Sequence, residues 1–106
     1  MADPMRIRAN VDASGVTEVK VLMNHEMETG QRKDASGKIV PAWFIQNVTA
    51  VHNGKTVLAA QWGPAVAKNP FLSFKFKGAS KGDKVQVTWV DNKGDKRTDE
   101  ATISAT

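Results

Sequence analysis

The chain has 106 residues, 41% of them apolar and 25% charged, with 15 Lys+Arg against 11 Asp+Glu and no cysteine. That length holds one domain spanning residues 1–106 and leaves too little interior for both a core and a deep active-site cavity. Lack of cysteine excludes disulfides, thiolate catalysis and Cys-ligated zinc within the chain, and no apolar run approaches the ~18 residues of a membrane span.

From Met1 to Arg8 there is no apolar h-region and no cleavage site, so no secretory signal is expected. Short alternating runs then follow one another, separated by turn signals. Met5 to Val11 places Met5, Ile7, Ala9 and Val11 against Arg6, Arg8 and Asn10, and Asp12 to Gly15 turns the chain. Val16 to Asn24 puts Val19, Val21 and Met23 on one face and Glu18 and Lys20 on the other.

His25 to Lys38 reads as a long polar loop without apolar period, of a length that is often functional in small domains. The third run begins after Pro41 and carries Trp43, Phe44, Ile45, Val48 and Val51; apolar groups on both faces predict a central strand. Asn53-Gly54 is the strongest hairpin signal, because both central positions of a type I′ turn need φ > 0. Thr56 to Trp62 is the fourth run, and Gly63 to Pro70 a second candidate surface loop.

Phe71 to Lys77 alternates Leu72, Phe74 and Phe76 with Ser73, Lys75 and Lys77, which indicates one buried and one wet face. After a turn at Gly78 to Asp83 comes Val85-Val87-Trp89, then a hairpin connection at Asp91 to Asp95 and a seventh run ending at Ser104. About seven short strands with little or no helix predict an all-β, immunoglobulin-like antiparallel sandwich. No internal repeat and no low-complexity linker is evident. Ala35 to Gly82 holds no acidic residue but has Lys38, Lys55, Lys68, Lys75, Lys77 and Lys81, so a face shared by the middle strands would be positive.

The residues offer little catalytic chemistry. The serines lack a G-x-S-x-G elbow. There are two histidines, with His52 placed at a hairpin turn, and Glu26 and Glu28 read as solvated loop acids. Met23, His25 and Met27 alternate at period two, and thioether plus imidazole is a soft set that suits copper; the competing reading is a core methionine, a strand end and an edge contact. Nucleic-acid binding is disfavoured because the aromatics fall at core-like strand positions. Partner binding has more support: a sandwich has edge strands that can pair with another chain, and Trp43 and Trp62 stand beside candidate loops, where they serve as interface anchors or core plugs.

Taken in order, His25-Glu-Met-Glu-Thr-Gly30, Asp34 with Gly37-Lys38-Ile39, Pro41 to Ile45, Asn53-Gly54, Pro64-Ala65 with Asn69-Pro70, Phe74, and Gly82-Asp83 with Trp89 and Asp91 resemble the SoxZ family, the Z subunit of the Sox sulfur-oxidation carrier. The resemblance runs from about residue 5 to the end. It implies a non-catalytic immunoglobulin-like sandwich that pairs with a SoxY-like subunit. That partner holds sulfur intermediates covalently on a cysteine in a flexible Gly-rich arm. It implies transient contact with a haem-containing loading enzyme, a thiosulfohydrolase and a sulfane dehydrogenase. It also implies a periplasmic location, reached by export with the partner's twin-arginine signal, and no cofactor in this chain. The loop His25, Met27, Glu28, Thr29 and Gly30 is assigned by this resemblance to partner or carrier-arm contact, with Trp43, Pro64, Asn69 and Pro70 as a second tier. The acid-free lysines, Lys68 and Lys75 among them, are then expected to attract anionic sulfur groups.

Overall fold

A computed structural model describes residues 4–105; Met1 to Asp3, the first part of the segment expected to carry no leader, lie outside the described residues, as does Thr106. The strands are β1 (Arg6–Val11), β2 (Val16–Leu22), β3 (Ile45–His52), β4 (Lys55–Gln61), β5 (Phe71–Lys77), β6 (Lys84–Asp91), β7 (Lys96–Thr102) and β8 (Ser104–Ala105). They form two four-stranded sheets, ordered β5-β2-β1-β8 and β4-β3-β6-β7. This division, with the first, second and fifth strands facing the third, fourth, sixth and seventh, is that of an immunoglobulin-like sandwich, and the predicted all-β class holds. β3 is central, as its two-faced apolar pattern requires.

Period-two alternation sets which face each strand buries. Val19, Val21, Ile45, Val48, Ala50, Val85, Val87 and Trp89 point into the core from both sheets, and the intervening residues face water. Ile103 plugs the core between β7 and β8 and is 1% exposed. It also marks a difference from the expected seventh run. The chain leaves one sheet after Thr102 and joins the other, where Ser104 and Ala105 pair in parallel with Asn10 and Val11 of β1. Together with the approach of β7 to β1 and the Met5 N–H donated to Asp99 Oδ2 (2.9 Å), this closes one long side of the sandwich. The other side is bounded by β4 and β5, each an outermost strand of its sheet.

The expected type I′ hairpin is present, with φ of 50° at Asn53 and 77° at Gly54. The polar excursion is more ordered than expected. Glu28 and Trp43 exchange both backbone bonds, N–H to O at 2.6 and 3.0 Å. Lys33 bridges Ile39, and Val40 N–H reaches Arg32 O. The segment is thus an exposed hairpin arm. Its tip, Asp34-Ala-Ser-Gly37, repeats the Asp12-Ala-Ser-Gly15 turn of the β1–β2 hairpin, so a short repeat does exist. In each, the aspartate Oδ1 accepts the N–H and hydroxyl of the serine two residues on and the N–H four residues on. Each ends in a glycine at φ near +84°, as a three-residue loop with a left-handed closing residue demands. Asp91 to Asp95 follows the same plan, with Gly94 at +88°.

Candidate functional site

Most of the singled-out loop residues meet at one end of the sandwich, around the imidazole of His25. The period-two burial of β2 continues past its last residue: Met23, His25 and Met27 are 0%, 6% and 5% exposed, while Asn24 and Glu26 face water. Asn69 holds this segment in place, accepting the His25 N–H on its Oδ1 (3.1 Å) and donating its own N–H to His25 O (2.9 Å). Asn69 sits at φ +51°, a region that asparagine enters more readily than most residues. Pro70, buried, accepts the Met23 N–H on its carbonyl.

The His25 ring is bonded at both nitrogens. Met27 N–H donates to Nδ1 (3.1 Å), which must therefore be the unprotonated nitrogen, so Nε2 carries the hydrogen and donates it to Asp91 Oδ2 (3.0 Å). The same oxygen accepts Trp43 Nε1–H at 2.7 Å. Asp91 Oδ1 accepts the N–H groups of Lys93 and Asp95. One buried carboxylate thus ties together the end of β2, the arm base, and the β6–β7 turn. Around it, the Trp89 edge meets the His25 ring at 5.1 Å and 90°, Trp43 lies 5.0 Å away, and Lys93 Nζ sits 4.4 Å from the Trp43 ring centroid.

Met27 adopts φ +52°, an unusual conformation for a long side chain. It is held there by the bond to His25 and by its sulfur, which accepts the Ile45 N–H at 3.3 Å. Gly30, at φ +86°, lies so close to the arm's return strand that a Cβ would stand 3.2 Å from Ala42 Cβ. Glu28 is clamped by Arg32, whose Nη2 donates at 2.6 Å and whose Nε donates to both carboxylate oxygens. Glu26 pairs instead with Lys68 at 3.3 Å, so the two acids are separately neutralised.

The structure therefore gathers His25, Met27, Glu28, Gly30, Trp43, Asn69 and Pro70 into one end of the fold, with Thr29 exposed on the arm and Pro64 apart on the surface. The soft-ligand set is not presented: Met23 is core, both His25 nitrogens and the Met27 sulfur are engaged, and a metal there would have to break those bonds. His52 is not simply a turn residue. It ends β3 7% exposed, with Nε2 2.8 Å from Asp83 Oδ2 and its ring 5.3 Å from Phe76. Sequence reasoning missed Asp91 as the centre of the cluster.

The acid-free lysines do not form one face. β3 and β4 lie in one sheet and β5 in the other, Lys68 is paired with Glu26, and Lys75 stands opposite Glu18.

Burial works against ionisation of Asp91, but hydrogen bonds from His25, Trp43 and the Asp95 and Lys93 backbone outweigh it and hold the carboxyl below the usual aspartate range. The bond from Arg97 lowers Asp99, and that from His52 lowers Asp83. Because each folded pKa lies below the unfolded value of 3.8, their contribution is complete above about pH 5 and is lost as pH falls through the folded values. Melting temperatures measured from pH 6 to pH 2 should stay level and then drop below about pH 4. The drop should be shallower in Asp91→Asn; an unchanged slope in that variant would remove Asp91 from this account.

Comparison with known proteins places this geometry. The sulphur oxidation protein SoxZ family matches residues 5–102, nearly the whole chain. Among curated proteins no sequence matches. Solved structures of superoxide reductase (neelaredoxin) are similar in fold. The Ignicoccus hospitalis protein is 15% identical, covers 99% of this chain and 82% of its own, and has a TM-score of 0.60. A variant of the Archaeoglobus fulgidus protein in the reduced form is 22% identical, covers 98% and 91%, and has a TM-score of 0.61. At such identities the likeness is one of fold.

Proposed function

Because the chain belongs to the SoxZ family, and so is a component of a Sox sulfur-oxidation system, we propose that it is the non-catalytic half of a carrier heterodimer. Its partner is a SoxY-like subunit whose cysteine carries the sulfur intermediates covalently. The observation that supports this most is the state of the buried polar cluster. His25, Asp91 and Trp43 spend their hydrogen-bonding groups on one another and on the backbone. Such a cluster sets the shape of a surface and offers no free base or nucleophile. What it shapes is the arm base and the Trp43–Lys93 surface, with Glu28 and Thr29 alongside.

Absence of cysteine suits this division of labour, since a thiolate beside a carried persulfide or thiosulfonate would attack it by exchange. The heterodimer works in the periplasm, to which the partner's signal takes both subunits, and the loading enzyme, thiosulfohydrolase and sulfane dehydrogenase visit the complex in turn. The chain itself needs no cofactor.

Co-expression with the SoxY-like subunit followed by gel filtration tests the pairing. Co-elution in a one-to-one peak is expected; two separate monomer peaks would overturn the proposal.

A further inference from the structure

A second histidine–aspartate pair lies at the far end of β3 from His25. The first residue of β3, Ile45, is paired with Asp91, and the last, His52, with Val85. His52 Nε2 stands 2.8 Å from Asp83 Oδ2, and the same carboxylate accepts the Ser80 N–H at 3.0 Å. The Asp83 carbonyl accepts the Ile103 N–H, at the passage from β7 to β8. Asn53 follows His52 in the β3–β4 turn. It is exposed, and its side-chain amide faces the Asp83 carboxylate as a hydrogen-bonding partner.

Asparagine is chemically labile when the next backbone nitrogen is free to attack its side-chain carbonyl and water reaches the site. Asn53-Gly54 meets these conditions. Gly54 N–H donates to no protein acceptor among the described residues. Gly54 has no Cβ to shield that nitrogen, and one built there would meet nothing within 4 Å. The other five asparagines do not meet them. Asn69 precedes Pro70, whose nitrogen has no hydrogen to lose. Asn24 precedes His25, whose N–H is bound by Asn69 Oδ1. Asn92 precedes Lys93, whose N–H is bound by Asp91 Oδ1, and its own amide is pinned by Phe44 N–H and Ala42 O. Asn10 and Asn47 lie in paired strands and precede valines, whose branched side chains crowd the nitrogen.

We infer that Asn53 is a site of spontaneous deamidation, the asparagine that this fold leaves open to it, and that the change loosens the β3–β4 hairpin. The Gly54 nitrogen gives its proton to solvent and bonds to Asn53 Cγ. The Cγ–Nδ2 bond breaks, and Nδ2 takes a proton from solvent and leaves as ammonia. Water then adds to one carbonyl of the resulting succinimide. Opening on one side gives an aspartate in the ordinary backbone. Opening on the other gives an isoaspartate, with the backbone routed through the side chain. Water is the only co-reactant. Either product sets a carboxylate where an amide faced Asp83, so like charges meet beside His52. The isoaspartate also adds a backbone atom to a two-residue turn already fixed at φ of 50° and 77°. β4 is an outermost strand, with no second neighbour to hold it when the turn gives way.

The test ages the full chain in mildly alkaline buffer, folded and in urea, and follows each asparagine by peptide mass spectrometry. Exchange of NH2 for OH at residue 53 of the folded chain is expected, at least tenfold faster than at any other asparagine. Conversion in urea with none in the folded chain would show that the turn protects Asn53, and would overturn the site. So would conversion spread equally over Asn24, Asn53 and Asn92, or none in either condition. Asn53→Gln, which would have to close a larger ring, should stop the reaction. The mass readout on the wild type stands by itself if that variant misfolds. Aged wild-type chain should melt several degrees below fresh chain, whereas Asn53→Gln should not change with age. An unchanged melting temperature after full conversion would overturn the loosening of the hairpin.

Discussion

Asp91→Ala is expected to lower the melting temperature by roughly 15–25 °C, corresponding to about 3–5 kcal/mol. The carboxylate is 2% exposed and accepts bonds from His25 Nε2–H, Trp43 Nε1–H and two backbone N–H groups. Removing it strands the His25 and Trp43 ring donors inside the fold, and each buried orphan costs about 1–3 kcal/mol. Asp91→Asn should fall between the variant and the wild type, since one oxygen remains while the new amide N–H groups oppose existing donors. The Asp12→Ala and Asp34→Ala changes supply the control. They remove the same turn bonds from the same Asp-x-x-Gly plan, but at the surface, where water replaces the lost acceptor. Thermal melts of the four variants and the wild type check the ranking. Equal shifts for Asp91→Ala and Asp34→Ala would mean that turn geometry, and not the buried cluster, is what Asp91 supplies.

Trp89→Ala should cost about 3–5 kcal/mol through the cavity it leaves. Trp89 is the largest side chain buried in the core, sits opposite Val48 and Arg97 in its sheet, and braces the His25 ring edge-on. Trp89→Phe should be much milder. The indole Nε1 is buried and has no partner among the described residues, so its removal returns part of the desolvation cost while a ring is kept. Denaturant melts with fitted m-values check both. A Phe variant as unstable as the Ala variant would show that the N–H is bonded after all, most simply by a buried water.

Much of the fold was legible because most strands bury one face and wet the other. β2, β5 and β6 write that division into the chain residue by residue, and β5 was read at its observed bounds, Phe71 to Lys77. The arm was not, for the same reason: residues 31–39 are exposed on both faces, so no alternation arises. Its only sequence signal was the second Asp-Ala-Ser-Gly, which matches a turn already recognised at Asp12. The passage of β7 into β8 was hidden too, because a strand that changes sheets at Ile103 keeps its extended backbone.

At the site, His25, Met27 and Trp43 were picked out, but their contacts were not. Asp91 lies 66 residues from His25, and only the packing of the two sheets brings them together. The soft-ligand reading foresaw that Met23, His25 and Met27 share a side; it could not foresee that the side is the core. Charge was misjudged along the chain for a similar reason. The acid-free stretch was counted in sequence, whereas its strand lysines are divided between the two sheets, Lys55 on β4 and Lys75 and Lys77 on β5.

The parallel pairing of β8 with β1 has a mechanical consequence. Because the two strands run the same way, the start of β1 and the end of β8 lie toward opposite ends of the sandwich. Tension drawn between those points would pull the strands lengthwise past each other. Their hydrogen bonds would then share the load and fail together, in contrast to a hairpin, which peels open one bond at a time. That short seam is where the domain should resist stretching, and deleting Ser104 and Ala105 should lower the rupture force more than it lowers the melting temperature.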